Sequence, residues 1–299
     1  MPSTKIPAIT LFARAIEERS LAAGGFPEHP NGSYRPDSTA WAVLALAKLN
    51  PQHPLLDPAR ARLKAQQSPD GRLSYSDAPS VFWPTPLAVL AWNGTERYKE
   101  ERNRAVLFLL AVKGIHPAKT AGSPVAHDTS LNGWQWTEGT HSFIEPSCMA
   151  LMALEAEGHT QHPRFQEGVR MVMDRQLPHG GWNYGNTLVY GKELRPFIDT
   201  TGMALVAVSG HVREEKVAKS LLLLREQVGR CRSPLSLCWA LIGLGSWGEF
   251  PSMAMDRIVE CLERQERFGP YATSILSLLL LTSLCDGSLK KDFQRKAGL

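Results

Sequence analysis

The sequence predicts an all-α toroid, an (α/α)6 barrel of about six helical hairpins. Three observations predict it. One local pattern recurs along nearly the whole chain. Its helices alternate between a type charged on one face and a type apolar nearly all round. No strand-like alternation of useful length competes with them. A ring of hairpins also lets one domain absorb 299 residues without a second core.

The copies follow in chain order, each a Gly-rich turn with an aromatic and then a small-residue start to an apolar helix. The first has Gly24-Gly25-Phe26, then Pro36-Asp37-Ser38-Thr39-Ala40-Trp41. The second has Gln67-Ser68-Pro69-Asp70-Gly71, then Pro84-Thr85-Pro86-Leu87. Gly133-Trp134 and Glu145-Pro146-Ser147-Cys148-Met149 form the third. The fourth is the cleanest, with Gln176 through Gly180-Gly181-Trp182, then Asp199-Thr200-Thr201-Gly202-Met203. The fifth keeps only its helices, around Pro234 to Leu241. The sixth runs from Gln265 through Phe268-Gly269 to Tyr271 and Ile275.

The amphipathic helices, over 57–66, 99–112, 164–176, 213–227 and 253–265, belong on the outside. The apolar ones belong inside. Asp37, Asp199 and Ser233 stand where N-caps are expected, and Pro146 and Pro234 suit a first turn. Residues 1–287 read as the toroid and 288–299 as a short basic tail carrying Lys290, Lys291, Arg295 and Lys296.

Hydrophobic residues make up 43% and charged residues 21%, which excludes extensive disorder. A net charge of +4 from 33 basic and 29 acidic residues gives no nucleic-acid footprint. Five cysteines, an odd number without a CxxC, point to a reducing compartment rather than a disulfide framework. Glu17 and Glu18 follow the first apolar stretch and argue against a signal peptide. The longest apolar run, 275–284, is about half of a membrane span. The expectation is a cytoplasmic protein with scope for peripheral membrane contact.

At Gln176, Gly180, Gly181 and Trp182 the residues resemble the QW motif of squalene–hopene and oxidosqualene cyclases, with looser copies at Gln67 and Gln265. The inner-helix starts are similar to those of the same family and of protein prenyltransferase β subunits. The resemblance implies that Gln176 and Trp182 tie neighbouring helices together. It also implies a terpenoid-cyclase-like activity on an isoprenoid or other apolar substrate. In that family the middle Asp of an Asp-x-Asp-Asp motif protonates an alkene or epoxide. Aligning Thr201-Gly202 with the family's Thr-Ala places Asp199 on it, while Phe197 and Thr200 replace the flanking acids. The prenyltransferase zinc site needs an Asp two residues before a Cys, which no cysteine here has, so neither metal nor cofactor is expected. The Gly-Cys-x-Glu-Gln motif of thioester domains is absent too.

Two long connections, about 115–144 and 182–198, are rich in aromatics and histidine, and long connections in compact domains are usually functional. They end in matching phrases, Phe143-Ile144-Glu145 and Phe197-Ile198-Asp199. Asp199 and Glu145 are therefore the candidate catalytic acids, with helix capping as the competing role of Asp199. His141, Trp134, Trp136, Phe143, Tyr184, Tyr190, Phe197 and Asp37 are the candidate substrate contacts. Trp41, Trp83, Trp92 and Trp239 read as core. Cys148 and Cys238 read as small buried hydrophobes. An apolar small molecule is the expected partner, and a single barrel leaves room for a homodimer or a second subunit. Two other functions compete, a non-catalytic lipid- or protein-binding toroid and a glycan hydrolase or lyase. A cavity lined by Trp and Phe would separate the cyclase from a hydrolase groove lined by Asp, Glu and Arg.

Overall fold

The computed structural model describes residues 5–118, 120, 122–285 and 289–290, with side chains from residue 8 onward. Its helices alternate outer and inner. The outer ones are α1 (Lys5–Glu17), α3 (Leu56–Gln66), α5 (Lys99–Ala111), α7 (Pro163–Asp174), α9 (Ala218–Gln227) and α11 (Ala254–Phe268). The inner ones are α2 (Pro36–Leu49), α4 (Pro84–Trp92), α6 (Ile144–Ala156), α8 (Ile198–Val208), α10 (Pro234–Gly245) and α12 (Thr273–Leu284). Each inner helix packs on the next, and α12 packs back on α2, which closes the ring. The fold is the all-α toroid that the repeat predicts. A short hairpin, β1 (Leu188–Val189) with β2 (Lys192–Glu193), decorates one connection.

One hydrogen-bonding device recurs at the entry to four inner helices. The backbone N–H of the turn residue donates to a hydroxyl in the first turns of the inner helix. The pairs are Phe26 to Thr39 at 2.9 Å, Leu73 to Thr85 at 2.9 Å, Trp134 to Ser147 at 2.7 Å and Trp182 to Thr201 at 3.0 Å. In three repeats the same turn residue also accepts from the residue that opens the helix: Arg35 to Phe26, Phe143 to Trp134 and Phe197 to Trp182. These turn residues are buried, so an unpaired N–H there would cost about 1–3 kcal/mol. The need for a small hydroxyl residue at this point explains the Thr and Ser of the repeat.

The helix-opening residues are Arg35, Phe143 and Phe197, with no side-chain cap. Asp37 and Asp199 therefore do not cap; both lie two residues further on. Ser233 does cap α10, accepting from the Ser236 N–H at 3.4 Å.

Gln176 and Trp182 make ties of the expected sort. The Gln176 amide donates to Ser220 on α9 at 2.8 Å, and the Trp182 indole donates to the Val172 carbonyl on α7 at 2.7 Å. Gln67 donates to the Glu101 carbonyl on α5 at 2.8 Å. Gln265 behaves differently, accepting from the Tyr271 N–H at 2.9 Å.

Helices α8 and α10 are packed unusually closely. A Cβ on Gly202 would lie 2.1 Å from the Trp239 carbonyl oxygen, and one on Gly243 would lie 2.8 Å from the Gly202 Cα. Only glycine fits either position. The seam between first and last hairpins is closed by Glu28. It accepts from Ser38 on α2 and Ser274 on α12, each at 2.5 Å, while its carbonyl accepts from the Thr273 N–H at 2.7 Å.

At the opposite pole Lys290 is buried, 2.6 Å from Glu155, and donates to the Ser209 carbonyl at 2.6 Å. Lys290 thus belongs to the barrel and not to a solvated tail, because it neutralises a buried carboxylate and the carbonyl end of α8. Lys291, Arg295 and Lys296 lie outside the described residues. All five cysteines are buried thiols, and no helix among the described residues is long and apolar enough to cross a membrane.

Candidate functional site

The inner helices present their first turns to a common cavity. On five of them, the side chain two residues after the helix-opening position and the one four further on share a face, as helical geometry requires. These pairs are Asp37 with Trp41, Glu145 with Met149, Asp199 with Met203, Leu235 with Trp239 and Ser274 with Leu278. All but Asp199 line one cavity of about 260 Å³ at the mouth of the barrel. Trp83, Trp136, Ile275 and Glu28 complete the wall. Trp41 meets Trp239 edge-on at 6.0 Å, and Trp83 meets Trp136 edge-on at 5.1 Å.

Three carboxyl groups face this space, each differently placed. Glu28 is used by the two serines of the seam. Asp37 takes two bonds from the Arg35 guanidinium, at 3.0 and 3.1 Å, and a third from the Tyr75 hydroxyl at 3.0 Å. Tyr75 in turn accepts from the Trp83 indole at 2.6 Å, and Arg35 lies 4.1 Å over the Tyr75 ring. Burial first, and the Asp37 charge second, hold the Tyr75 phenol protonated. Glu145 has no cation within ion-pair distance among the described residues. It accepts one bond from the Thr200 hydroxyl at 3.2 Å. Burial, and secondarily the charge of Asp199, outweigh that bond and push the Glu145 carboxyl up to about 7. Glu145, which lines the cavity, is therefore about half protonated at neutral pH.

Asp199 is half-buried beside this acid. Its charge reaches Glu145 on one side and Cys231 on the other. Trp136 is in the cavity wall, but Trp134 is not. It is fully buried, its indole N–H bonds the Leu109 carbonyl at 2.9 Å, and Arg164 covers its face at 4.0 Å, so it is a structural residue. His141 and Phe143 stack at 4.4 Å and line a separate, outer cleft. Tyr184 and Phe197 pack on each other at 4.8 Å in an exposed cluster, and Tyr190 is 83% exposed at the tip of the small hairpin. These three line neither space; the hairpin that carries Tyr190 is bonded instead to the other long connection, the Tyr190 N–H donating to the Pro124 carbonyl at 2.7 Å.

Trp41, Trp239 and Trp92 are buried core residues, as the sequence predicts, and Trp83 packs against them half-buried; Trp41, Trp83 and Trp239 also form part of the cavity wall, while Trp92 bonds the Arg60 carbonyl at 3.2 Å. Sequence reasoning missed Glu28, Arg35, Tyr75, Met149 and Met203. The four-residue spacing from each acid position was the signal that could have found Trp41, Met149 and Met203.

No protein-family model matches the chain, and no curated protein matches it. Solved structures share its fold along nearly its full length. A protein from Actinoplanes is 14% identical, with 95% of this chain and 99% of that one covered at a TM-score of 0.62. An inactive variant of an α-1,6-mannanase from Salegentibacter, in complex with α-1,6-mannotriose, is 11% identical (94% and 99% covered, TM-score 0.62). A type II terpene cyclase from Scytonema is 16% identical (94% and 96% covered, TM-score 0.55). Identities this low establish the architecture alone. Mannanases and a terpene cyclase alike are built on it, and the chain is an α/α toroid of that kind.

Proposed function

We propose that the chain is an enzyme that begins its reaction by proton transfer from Glu145 to a short, apolar, isoprenoid-like substrate held in the tryptophan-walled cavity. The observation that carries this is the place of Glu145 in that cavity, where it accepts a single bond, from Thr200, and where burial pushes its carboxyl up to about 7. A proton donor must hold its proton at working pH; a group near 7 does so in about half of the molecules at neutral pH, where a carboxyl near 4.5 would be almost wholly ionised. Donation leaves a cation on the substrate and a carboxylate on Glu145. The bond from Thr200 strengthens as that charge appears. Indole faces stabilise the cation by about 0.5–2 kcal/mol each. Glu145 thus takes the proton-donor place that the family resemblance implied for Asp199, and Asp199 raises its pKa.

The cavity is small, below the roughly 300 Å³ at the lower end of usual ligand pockets, so it suits a short chain. A donor of this strength also protonates an oxygen, as in an epoxide, more readily than an isolated alkene.

A second reading, glycan hydrolysis, is favoured by the pairing of Glu145 with the Arg35-bound Asp37 across one space and by the mannanases that share the fold. Against it, a sugar needs partners for its hydroxyls. Here Glu28 and Asp37 already bond protein donors, and apart from Glu145 the rest of the wall is Trp, Met, Leu and Ile beside one serine.

The test is a product assay. Farnesol, its epoxide, farnesyl diphosphate, squalene and an α-1,6-mannoside would be incubated with wild type, Glu145→Gln and Asp199→Asn. A cyclised or hydrated isoprenoid, abolished by Glu145→Gln and only reduced by Asp199→Asn, is the expected result. Shortened mannosides would establish the second reading. Binding of farnesol without turnover would make the toroid a lipid-binding module.

A further inference from the structure

The long connections flank a second space of about 530 Å³ beside the barrel mouth, its wall largely apolar. Its wall includes Arg175, His116, His127, His141 and Asn186, and no carboxylate lines it among the described residues. Arg175 follows α7 and is only 3% exposed. One of its terminal nitrogens donates to the Gly185 carbonyl at 2.9 Å, while its buried Nε has no partner. No Asp or Glu among the described residues lies within ion-pair distance of it. The nearest acids are occupied: Asp174 accepts from the Asp128 N–H, and Asp128 accepts from Ser130. Burial outweighs their distant attraction and lowers the guanidinium to about 10, so it stays charged at neutral pH. Its field reaches across the cleft, lowering His141 and His116 after burial has already done so.

An arginine that is buried, charged and unneutralised is costly unless something pairs with it. A fork of N–H donors at the back of a cleft that lacks acids matches a tetrahedral oxyanion. We infer that the cleft between the two long connections is an oxyanion site for phosphate or diphosphate, with Arg175 as its principal donor and His141 and Asn186 at its rim. His116 is wall rather than ligand, because both its nitrogens are engaged, by Ser142 at 3.0 Å and the Thr129 carbonyl at 3.3 Å. Phe143 lines this cleft and Glu145 the central cavity, and two residues span at most ~7 Å. An anion could therefore arrive alone or as the head of an organic ligand. The inference does not depend on the reaction proposed for the cavity.

The experiment is calorimetric titration of the full chain with inorganic phosphate, pyrophosphate, farnesyl diphosphate and farnesol. Pyrophosphate is expected to bind, and Arg175→Gln to weaken it by roughly 10–100-fold, the loss of a charge-assisted pair. His141→Ala, at an exposed position, should weaken it by roughly threefold. If Arg175→Gln does not fold, the His141 variant alone decides, with a loss supporting the site and unchanged affinity overturning it. Farnesyl diphosphate binding more tightly than pyrophosphate would make the anion an organic ligand's head, and equal affinity would make the site one for the free anion. Absence of phosphate and pyrophosphate binding at millimolar concentration, or unchanged affinity in both variants, would overturn the inference whatever the fate of the cavity reaction.

Discussion

Asp37 and Glu145 occupy the same position on two inner helices and face one cavity, yet their surroundings are opposite. Arg35 and Tyr75 give Asp37 three hydrogen bonds, while Glu145 has the Thr200 hydroxyl and the unfavourable charge of Asp199. Repetition of the fold placed two acids alike; the residues beside them made them unlike. Unequal environments for two facing carboxyl groups are a common basis for acid–base chemistry.

Stability should record this difference. The folded Glu145 carboxyl sits at about 7, above its ordinary 4.5, so the native state holds a proton that the unfolded chain releases. Its contribution is full below pH 4.5 and is lost as pH rises through 7. One pKa unit is 1.36 kcal/mol, so the span is about 3 kcal/mol at most, and partial solvent access reduces it. Denaturation of wild type and Glu145→Gln from pH 4 to 8 checks this. Wild type should lose stability relative to the variant as pH rises; parallel curves would contradict it.

Gly202→Ala should destabilise the fold by about 2 kcal/mol or more, because its Cβ would meet the Trp239 carbonyl, a backbone atom that cannot swing away. Gly210→Ala provides a contrast. Nothing lies within 4 Å of its Cβ, so any cost there comes from its φ of +78° alone. Chemical denaturation of both variants separates packing from backbone strain.

Ser147→Ala should cost about 1–3 kcal/mol, since it leaves the buried Trp134 N–H without its acceptor. Ser147→Thr, which restores the hydroxyl found as Thr at the matching points of α2, α4 and α8, should recover much of the loss. Failure of Thr to rescue would show that packing, not the hydrogen bond, sets the requirement.

Lys290→Met should destabilise by about 3–5 kcal/mol near pH 7, because it removes the ammonium 2.6 Å from the Glu155 carboxylate. Glu155→Gln combined with Lys290→Met should recover part of that loss. Melting temperatures of the single and double variants test this closing of the far pole.

The toroid was legible in the sequence because its cause is local and repeated. The Gly-aromatic turn, the hydroxyl in the next helix and the apolar inner stretches all appear in each clean copy. The acids were also legible as a set, since Asp37, Glu145 and Asp199 hold matching places in the repeat. Their division of labour was not. It depends on Arg35, Tyr75 and Thr200, which reach the acids through contacts that a repeat pattern does not encode. Trp134 and Trp136 show the same limit: two residues apart, one is locked under Arg164 and the other walls the cavity. Nothing in the local sequence sets Arg175 apart, because its burial depends on the two distant connections that form the cleft around it.

The most direct test of the central claim is the titration of the Glu145 carboxyl itself, by carbon-detected NMR of protein labelled at its glutamate carboxyl groups. The Glu145→Gln variant assigns the signal. The account predicts a midpoint near 7 that falls in Asp199→Asn, where the neighbouring charge is gone. A midpoint near 4.5 in the wild type would mean that Glu145 is already ionised at neutral pH, and would contradict its role as the proton donor.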